Sequence, residues 1–248
     1  MSLSLHVLGS TGSWPAPGLP SSGYVVADRS TRIVMDLGFG TMPLLSDPLD
    51  IDAVVISHRH ADHCADVLAL YHLWAYGEDR KAGVPLVGPR STIDALATFV
   101  DAGAASPFWT VFDPRPVEHG STMGIGTLGL SFHRVDHSVP EVAIRVESGG
   151  RSLFYTGDTG LAGDWWSEVP RSNLILSEAS WQGNGDGGDY THHLTAAQAG
   201  WLAATIGADR LVVTHVKPGL DPVRSVAEAQ TTFPGPVLHA DPGRTIEV

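Results

Sequence analysis

The chain of 248 residues holds a single cysteine, Cys64. One thiol cannot close an intrachain disulfide, so a disulfide-stapled framework is excluded. Basic residues are scarce as well: 15 Lys and Arg stand against 27 Asp and Glu, a formal net charge of −12. An acidic chain gains no long-range attraction to a nucleic-acid backbone, and no run of Lys or Arg marks a DNA- or RNA-binding face. Long hydrophobic runs are missing too. No segment approaches the ~20 apolar residues of a membrane-spanning helix. The start, Met1-Ser-Leu-Ser-Leu-His-Val-Leu, has no basic stretch followed by a long apolar core, and it reads as a strand rather than a signal peptide. The expectation is a cytoplasmic protein with no membrane partner and no long nucleic-acid partner.

Hydrophobic residues make up 43% of the chain, enough for a full core without staples at this length. No stretch reads as a linker and no repeat recurs, so a single domain over residues 1–248 is expected. Leu3–Leu8 is an apolar run closed by the turn cluster Gly9-Ser-Thr-Gly-Ser. Tyr24–Ala27 and Arg32–Met35 read as a hairpin, and Asp52–Ile56 as a strand. From Asp62 to Tyr76 the spacing turns helical, with Val67, Leu70, Tyr71 and Trp74 on one face and Asp62 as the expected N-cap. Further strands are expected at Val84–Val87, Leu128–Val135, Val142–Val146, Leu153–Tyr155, Leu174–Leu176, Leu211–Val213, Val237–His239 and Thr245–Val248. Helices are expected at Ser91–Val100, Thr195–Ile206 with Thr195 at its cap, and Pro222–Thr231. Trp181–Tyr190 is polar and Gly-rich and reads as a mobile loop. This order predicts sheets inside and helices outside.

Histidine is the residue present in excess, twelve in all, and its placement is uneven. His58-x-His60-x-Asp62-His63 puts four candidate ligands within six residues, just after a strand. Zinc takes imidazole nitrogens and carboxylate oxygens at about 2.0–2.2 Å. His58 and His60 share one side of an extended segment, whereas Asp62 and His63 sit at the turn into a helix and point elsewhere. Two adjacent metal sites follow. The plain alternative is a solvated polar turn, for which such a dense cluster is a rare coincidence. His137, Asp158 and His215 each stand just beyond a strand, where open sheets place ligand sites. His6, His72, His119, His133 and His239 carry no motif and read as structural. Cys64 reads as a small buried hydrophobe, and Asp66 as a candidate to orient a ligand histidine. Trp14, Trp181 and Tyr190 could stack on a base or simply pack. Lys217 and Arg90 could touch phosphate, but solvated surface charge is the commoner fate of both residue types.

His-x-His-x-Asp-His, a distant His137, Gly157-Asp-Thr-Gly and Thr214-His together resemble the metallo-β-lactamase superfamily, and the resemblance runs from Val7 to Val248. It implies an α+β fold, a four-layer αββα sandwich, with a cleft at one edge. It also implies two divalent metal ions per chain, zinc, with manganese as the alternative. Carried over by position, His58, His60 and His137 hold one metal, Asp62, His63 and His215 hold the other, and Asp158 bridges both. Two Zn²⁺, two aspartates and a bridging hydroxide leave roughly one positive charge in an acidic protein. That balance favours a compact anion such as a phosphodiester, attacked by metal-bound hydroxide.

Finer motifs narrow the branch. Leu8-Gly-Ser-Thr-Gly-Ser-Trp-Pro, Ser21-Ser-Gly-Tyr, Leu176-Ser-Glu-Ala-Ser and His193-Leu-Thr resemble tRNase Z-like phosphodiesterases. The resemblance implies that Glu178 and His193 pair beside the metals and serve proton transfer. With Asp62 they are the candidate catalytic side chains. The chain departs from tRNA 3′-processing members. It shows no inserted basic arm, its net charge has the wrong sign, and Val142-Ala143 stands where an aromatic-Gly pair is usual. Ser57-His-x-His-Ala-Asp-His-Cys-Ala-Asp and Ser177-Glu-Ala-Ser-Trp look closer to a compact actinobacterial-type group that includes cyclic-nucleotide phosphodiesterases. The expected activity is hydrolysis of a small phosphodiester, 3′,5′-cyclic AMP first, and the resemblance suggests a homodimer. The alternatives are a tRNase Z-like RNA 3′-processing nuclease and a lactonase or thioesterase on the same fold.

Overall fold

The structure, a computed structural model, describes residues 2–183 and 191–248. Its first sheet contains β1 (Ser4–Gly9), β2 (Gly23–Ala27), β3 (Arg32–Leu37), β4 (Ala53–Val55), β5 (Val84–Gly88) and β6 (Phe112–Pro116). The second contains β7 (Thr122–Ile125), β8 (Leu128–Arg134), β9 (Val142–Ser148), β10 (Arg151–Tyr155), β11 (Leu174–Glu178), β12 (Arg210–Thr214) and β13 (Val237–His239), paired in sequence order. The last strand, β14 (Thr245–Glu247), crosses back to pair antiparallel with β1 at the edge of the first sheet.

Strand alternation sorts the side chains into layers. Ile33 and Met35 of β3 point between the sheets, as do Leu153 and Tyr155 of β10, in a cluster that both sheets share. Val34 points to the other face of the first sheet, where α1 (Ala61–Cys64), α2 (Val67–Tyr76), α3 (Arg90–Phe99) and α4 (Phe108–Val111) lie. Phe154 points outward from the second sheet onto α5 (Ala196–Ile206) and α6 (Pro222–Gln230). Each such buried side chain contributes roughly 1.5–3 kcal/mol of transfer free energy. The result is the expected αββα sandwich.

Polar chemistry collects at one end for a topological reason. Strands β3 to β6 run parallel, as do β10 to β13. The C-terminal ends of parallel strands face the same way, so the connections after them converge on one cleft. Local chemistry pins those connections. Thr195 caps α5 as expected, in a reciprocal capping box with Gln198, and Gly207 closes the helix in the left-handed conformation.

Three expectations need correction. The helix expected over Asp62–Tyr76 is two helices, α1 and α2, and Asp62 is inside α1 rather than at its cap. The chain breaks at residues 65–66 because the Asp66 amide donates to Leu37 O, tying the turn to the end of β3. The helix expected over Ser91–Val100 starts one residue earlier, after Pro89. Helix α4 and strands β6 and β7 have no counterpart in the sequence reading. Both strands lie at sheet edges, and β6 carries Pro114 and Pro116, which edge strands tolerate and central strands do not. Most of the expected Trp181–Tyr190 loop lies outside the described residues. Among the described residues, no helix is long and apolar enough to cross a membrane.

Candidate metal centre

Five strand ends and the approach to one helix deliver the site. His58, His60, Asp62 and His63 follow β4, and Asp158 follows β10. His137 follows β8, Glu178 ends β11, and His215 follows β12. His193 sits three residues before α5. The candidate ligands fall into two groups: His58, His60, His137 and Asp158 in one, and Asp62, His63, Asp158 and His215 in the other. Asp158 belongs to both.

In the first group, His58 Nε2 lies 2.9 Å from His60 Nδ1, and His137 Nε2 lies 3.1 Å from the same atom. His58 Nε2 is 3.9 Å from Asp158 Oδ2. In the second, His215 Nε2 is 3.2 Å from Asp62 Oδ2 and 3.4 Å from Asp158 Oδ1. His63 Nε2 is 3.3 Å from Asp158 Oδ1 and 3.7 Å from Asp62 Oδ2. Ligands held tetrahedrally about zinc at 2.0–2.1 Å stand about 3.3–3.4 Å from one another. Both groups therefore have the span of a filled coordination shell. His63 Nε2 and Asp158 Oδ1 are buried without a hydrogen-bond partner, a costly arrangement that a cation between them would relieve.

The rear nitrogens of these histidines are committed. His63 Nδ1 meets Asp36 Oδ2 at 2.8 Å, His215 Nδ1 meets Ser180 Oγ at 2.7 Å, and His137 Nδ1 meets the His192 carbonyl at 3.3 Å. A carbonyl or carboxylate at Nδ1 fixes the proton there and turns a lone pair on Nε2 into the cleft. His58 Nδ1 faces Ser57 Oγ at 3.0 Å and Glu141 Oε1 at 3.3 Å. Burial holds the His58 pKa well below its ordinary value and lowers that of His137 to about 4, so both are neutral, the form that binds metal. Burial also opposes charge on Asp62 and Asp158. Histidines outweigh it, with His63 leading for Asp62 and His215 for Asp158, and both carboxyls stay ionised.

Backbone strain concentrates at the site. Among the described residues, four that are not glycine have positive φ: Ser13, Asp36, Asp101 and His215. Three of these four serve the cleft. The Ser13 amide donates to Asp62 Oδ2 at 2.7 Å. Asp36 takes the Ser57 amide at 2.7 Å, the Ser57 hydroxyl at 2.8 Å and the Tyr155 hydroxyl at 2.8 Å, besides holding His63. Such conformations cost roughly 1–3 kcal/mol each and persist only where surrounding contacts enforce them. In Gly157-Asp-Thr-Gly, Gly157 is required: φ is +62°, and a Cβ there would collide with Glu141 Oε1, which accepts the Asp158 amide.

A model of the β-lactamase superfamily domain matches residues 31–216. The chain belongs to the metallo-β-lactamase superfamily. An uncharacterized Mycobacterium tuberculosis protein, Rv1339, is 32% identical over 270 residues, covering 100% of this chain and 93% of the relative. The probable metallo-hydrolase YhfI of Bacillus subtilis is 26% identical over 253 residues, covering 97% and 98%. The crystal structure of YhfI superposes with a TM-score of 0.89 at 24% identity over 100% of both chains. Ribonuclease Z of Methanopyrus kandleri is 25% identical over 283 residues, covering 96% of each chain. The protein is accordingly a metal-dependent hydrolase of this superfamily.

Beside the superfamily cleft stands the expected pair. His193 Nδ1 lies 2.9 Å from Glu178 Oε1, and the buried Glu178 also accepts the Thr159 amide at 2.6 Å and the Ser180 hydroxyl at 2.6 Å. Burial works against a charged His193, but the Glu178 carboxylate outweighs it and raises the pKa to about 9. Through Ser180, Glu178 also reaches His215, so one carboxylate organises both the pair and a candidate ligand.

Some supporting residues escaped the sequence reading. Asp66, the candidate to orient a ligand histidine, instead accepts the Met42 amide at 2.9 Å, and Asp36 does the orienting. Glu141 and Ser180 were likewise unmarked. The signal for all three is weak: Asp36 is a single carboxylate within β3, Glu141 stands just before β9, and Ser180 lies two residues past β11. His6, His119 and His239 pair away from the cleft with Thr245, Glu168 and Asp241. Cys64 is buried with its thiol on the Arg59 carbonyl, and burial raises its pKa to about 12. Trp14 is half exposed, Tyr190 lies outside the described residues, and Arg90 is exposed and paired with Asp94. Lys217 departs from expectation: its ammonium lies 3.3 Å from the Trp181 ring centroid at the margin of the cleft.

Proposed function

We propose that this protein hydrolyses a small phosphodiester, with 3′,5′-cyclic AMP as the preferred substrate, using two divalent ions, zinc or manganese. The observation that carries the reading is the His193–Glu178 pair, set against His215 in a third cluster of candidate ligands beside the two metal groups. When bound, two such ions polarise phosphoryl oxygens and lower the pKa of water toward ~7. His58, His60 and His137 would hold one, Asp62, His63 and His215 the other, and Asp158 both.

The remaining chemistry belongs to side chains of this protein. Asp62 is placed to accept a proton as water attacks phosphorus. The departing alkoxide needs a proton, and His193 is placed to supply it. Glu178 fixes the imidazole ring and keeps a proton on it, which a thioester, whose thiolate departs readily, does not require to the same degree. Supporting the preference for a small substrate are the net charge of −12 and the lack of a basic insertion in a chain of 248 residues. The name of ribonuclease Z, a relative over most of the chain, supports phosphodiester chemistry while leaving RNA as the competing substrate.

The test is a panel of 3′,5′- and 2′,3′-cyclic nucleotides, bis-p-nitrophenyl phosphate, a precursor tRNA, a lactone and a glutathione thioester, run on protein reconstituted with zinc or manganese. Turnover of cyclic AMP and the chromogenic diester, with poor trimming of the tRNA, is expected. Efficient tRNA trimming without action on the small diesters would reverse the ranking, and selective lactone or thioester cleavage would remove phosphodiesters from it. Elemental analysis should return two ions per chain.

A further inference from the structure

We infer that Lys217, held against the face of Trp181, is the cation that positions the phosphoryl group of the substrate in this cleft. The inference rests on the phosphodiesterase reading and adds a residue that neither the ligand groups nor the His193–Glu178 pair includes.

Lys217 follows His215 by two residues, in a segment whose Val216 carbonyl is tied to the Gly12 amide. Its side chain is only partly exposed, and the carboxylates of Glu178, Asp158 and Asp62 are the charges that act on it. The ammonium therefore stands on the same rim as the proposed proton donor. In a chain with 15 basic residues, a lysine placed there needs a reason.

Trp181 supplies the geometry. Its amide donates to the Leu194 carbonyl, and its own carbonyl accepts the Ala196 amide, which fixes the indole segment to the stretch carrying His193. Next to it, Gln182 Nε2 donates to the Asp221 carbonyl at 2.6 Å and to Ser225 Oγ at 2.8 Å. The backbone that carries the ring is thus held on both sides, and an ammonium 3.3 Å from the ring centroid makes a cation–π contact. A free lysine loses roughly 1.5–2 kcal/mol of rotamer entropy when immobilised. Here the folded protein has already restrained it, so an incoming phosphate meets a pre-positioned cation. An ammonium keeps three donors, and the ring face satisfies none of them as a hydrogen bond, which leaves donors for phosphoryl oxygens.

The experiment compares wild type with Lys217→Ala, Lys217→Arg and Trp181→Leu, all metal-reconstituted. Arg115→Ala, an exposed residue of β6, controls for the loss of one positive charge. Steady-state kinetics on cyclic AMP and bis-p-nitrophenyl phosphate are paired with calorimetric binding of inorganic phosphate and with metal analysis. Lys217→Ala should raise KM and the phosphate Kd by about 10–100-fold, the worth of a charged hydrogen bond, with kcat changed less than threefold or so and metal content intact. Lys217→Arg should restore most of the affinity, and Trp181→Leu should show the same loss, smaller. KM and phosphate Kd within about twofold of wild type in Lys217→Ala would overturn the inference, as would a loss of metal. If wild type hydrolyses no diester, but Lys217→Ala still weakens phosphate binding tenfold or so, the substrate reading falls and the anion site stands.

Discussion

The two ligand groups share Asp158 but are built differently. The group of His58, His60 and His137 opens at the partly exposed His60, while the rings of His58 and His137 are buried, and it has Asp158 as its one carboxylate. The group of Asp62, His63 and His215 is wholly buried and has two carboxylates, Asp62 and Asp158. The buried group also has the heavier scaffolding. Asp36 braces His63 and is itself held by Ser57 and Tyr155, Ser13 braces Asp62, and Ser180 braces His215. The difference suggests a division of labour: a rigid, charge-rich socket at the floor, and a more accessible one where a substrate oxygen can arrive.

The strongest way to break this comparison is to remove what the groups share. Asp158→Ala should take both sites down together, leaving at most one ion per chain and activity near background. Elemental analysis and diester turnover check it, and two retained ions would show that the groups do not depend on a common carboxylate.

Next in size is His193→Ala, which should leave both groups filled while lowering turnover of cyclic AMP by about 10²–10⁴-fold, the span for losing a general acid. The deficit should shrink with bis-p-nitrophenyl phosphate, whose leaving anion needs little protonation. Metal loss in this variant would instead make His193 a ligand. The sign of the pH effect follows from its raised pKa. The donor is protonated below that pKa and is lost as pH rises through it, so turnover should carry an alkaline limb at or below about 9. Bound cations can only push the limb lower. Glu178→Gln removes the carboxylate that raises the pKa, and should move the limb to lower pH.

Asp36→Asn sharpens the contrast between the sockets. Asparagine tolerates the positive φ at this position, so the fold should persist while His63 loses its anionic brace. Removing such a partner typically costs 10–100-fold in metal affinity or activity, by a rough rule. The loss should fall more heavily on one of two ions in a chelator titration, because Asp36 meets His63 directly and His58 only through Ser57, and equal weakening of both would contradict that contrast. The smallest effect is expected from Thr195→Ala, which opens the cap of α5 below His193. It should cost about 1 kcal/mol and lower Tm by roughly 2–4 °C, with metal content unchanged.

The same contrast governs how much could be read from the chain. The contiguous loop His58–His63 is conspicuous because four ligand-type residues crowd a single turn. His137, Asp158 and His215 are isolated residues, legible only as polar positions just past strands and through the family they resemble. The central strands were legible because they are short, nearly continuous apolar runs, as in Ile33–Met35 of a strand that is buried along almost its whole length. Edge strands β6 and β7 were not, because one carries two prolines and the other has no buried residue.

By itself the sequence determined the superfamily, the types and spacing of the candidate ligands, the Glu178 and His193 candidates and the cap at Thr195. These depend on residues that are close in sequence or that follow a strand in a recognisable motif. Tertiary structure alone decided that Asp36 rather than Asp66 orients His63, that Glu141 supports the Asp158 turn, and that Lys217 lies on Trp181. An isolated aspartate looks the same in sequence whether it braces a histidine or a backbone amide. What separates them is which strand ends the parallel sheets bring to a common edge, a pairing between residues up to 153 positions apart, as for Asp62 and His215.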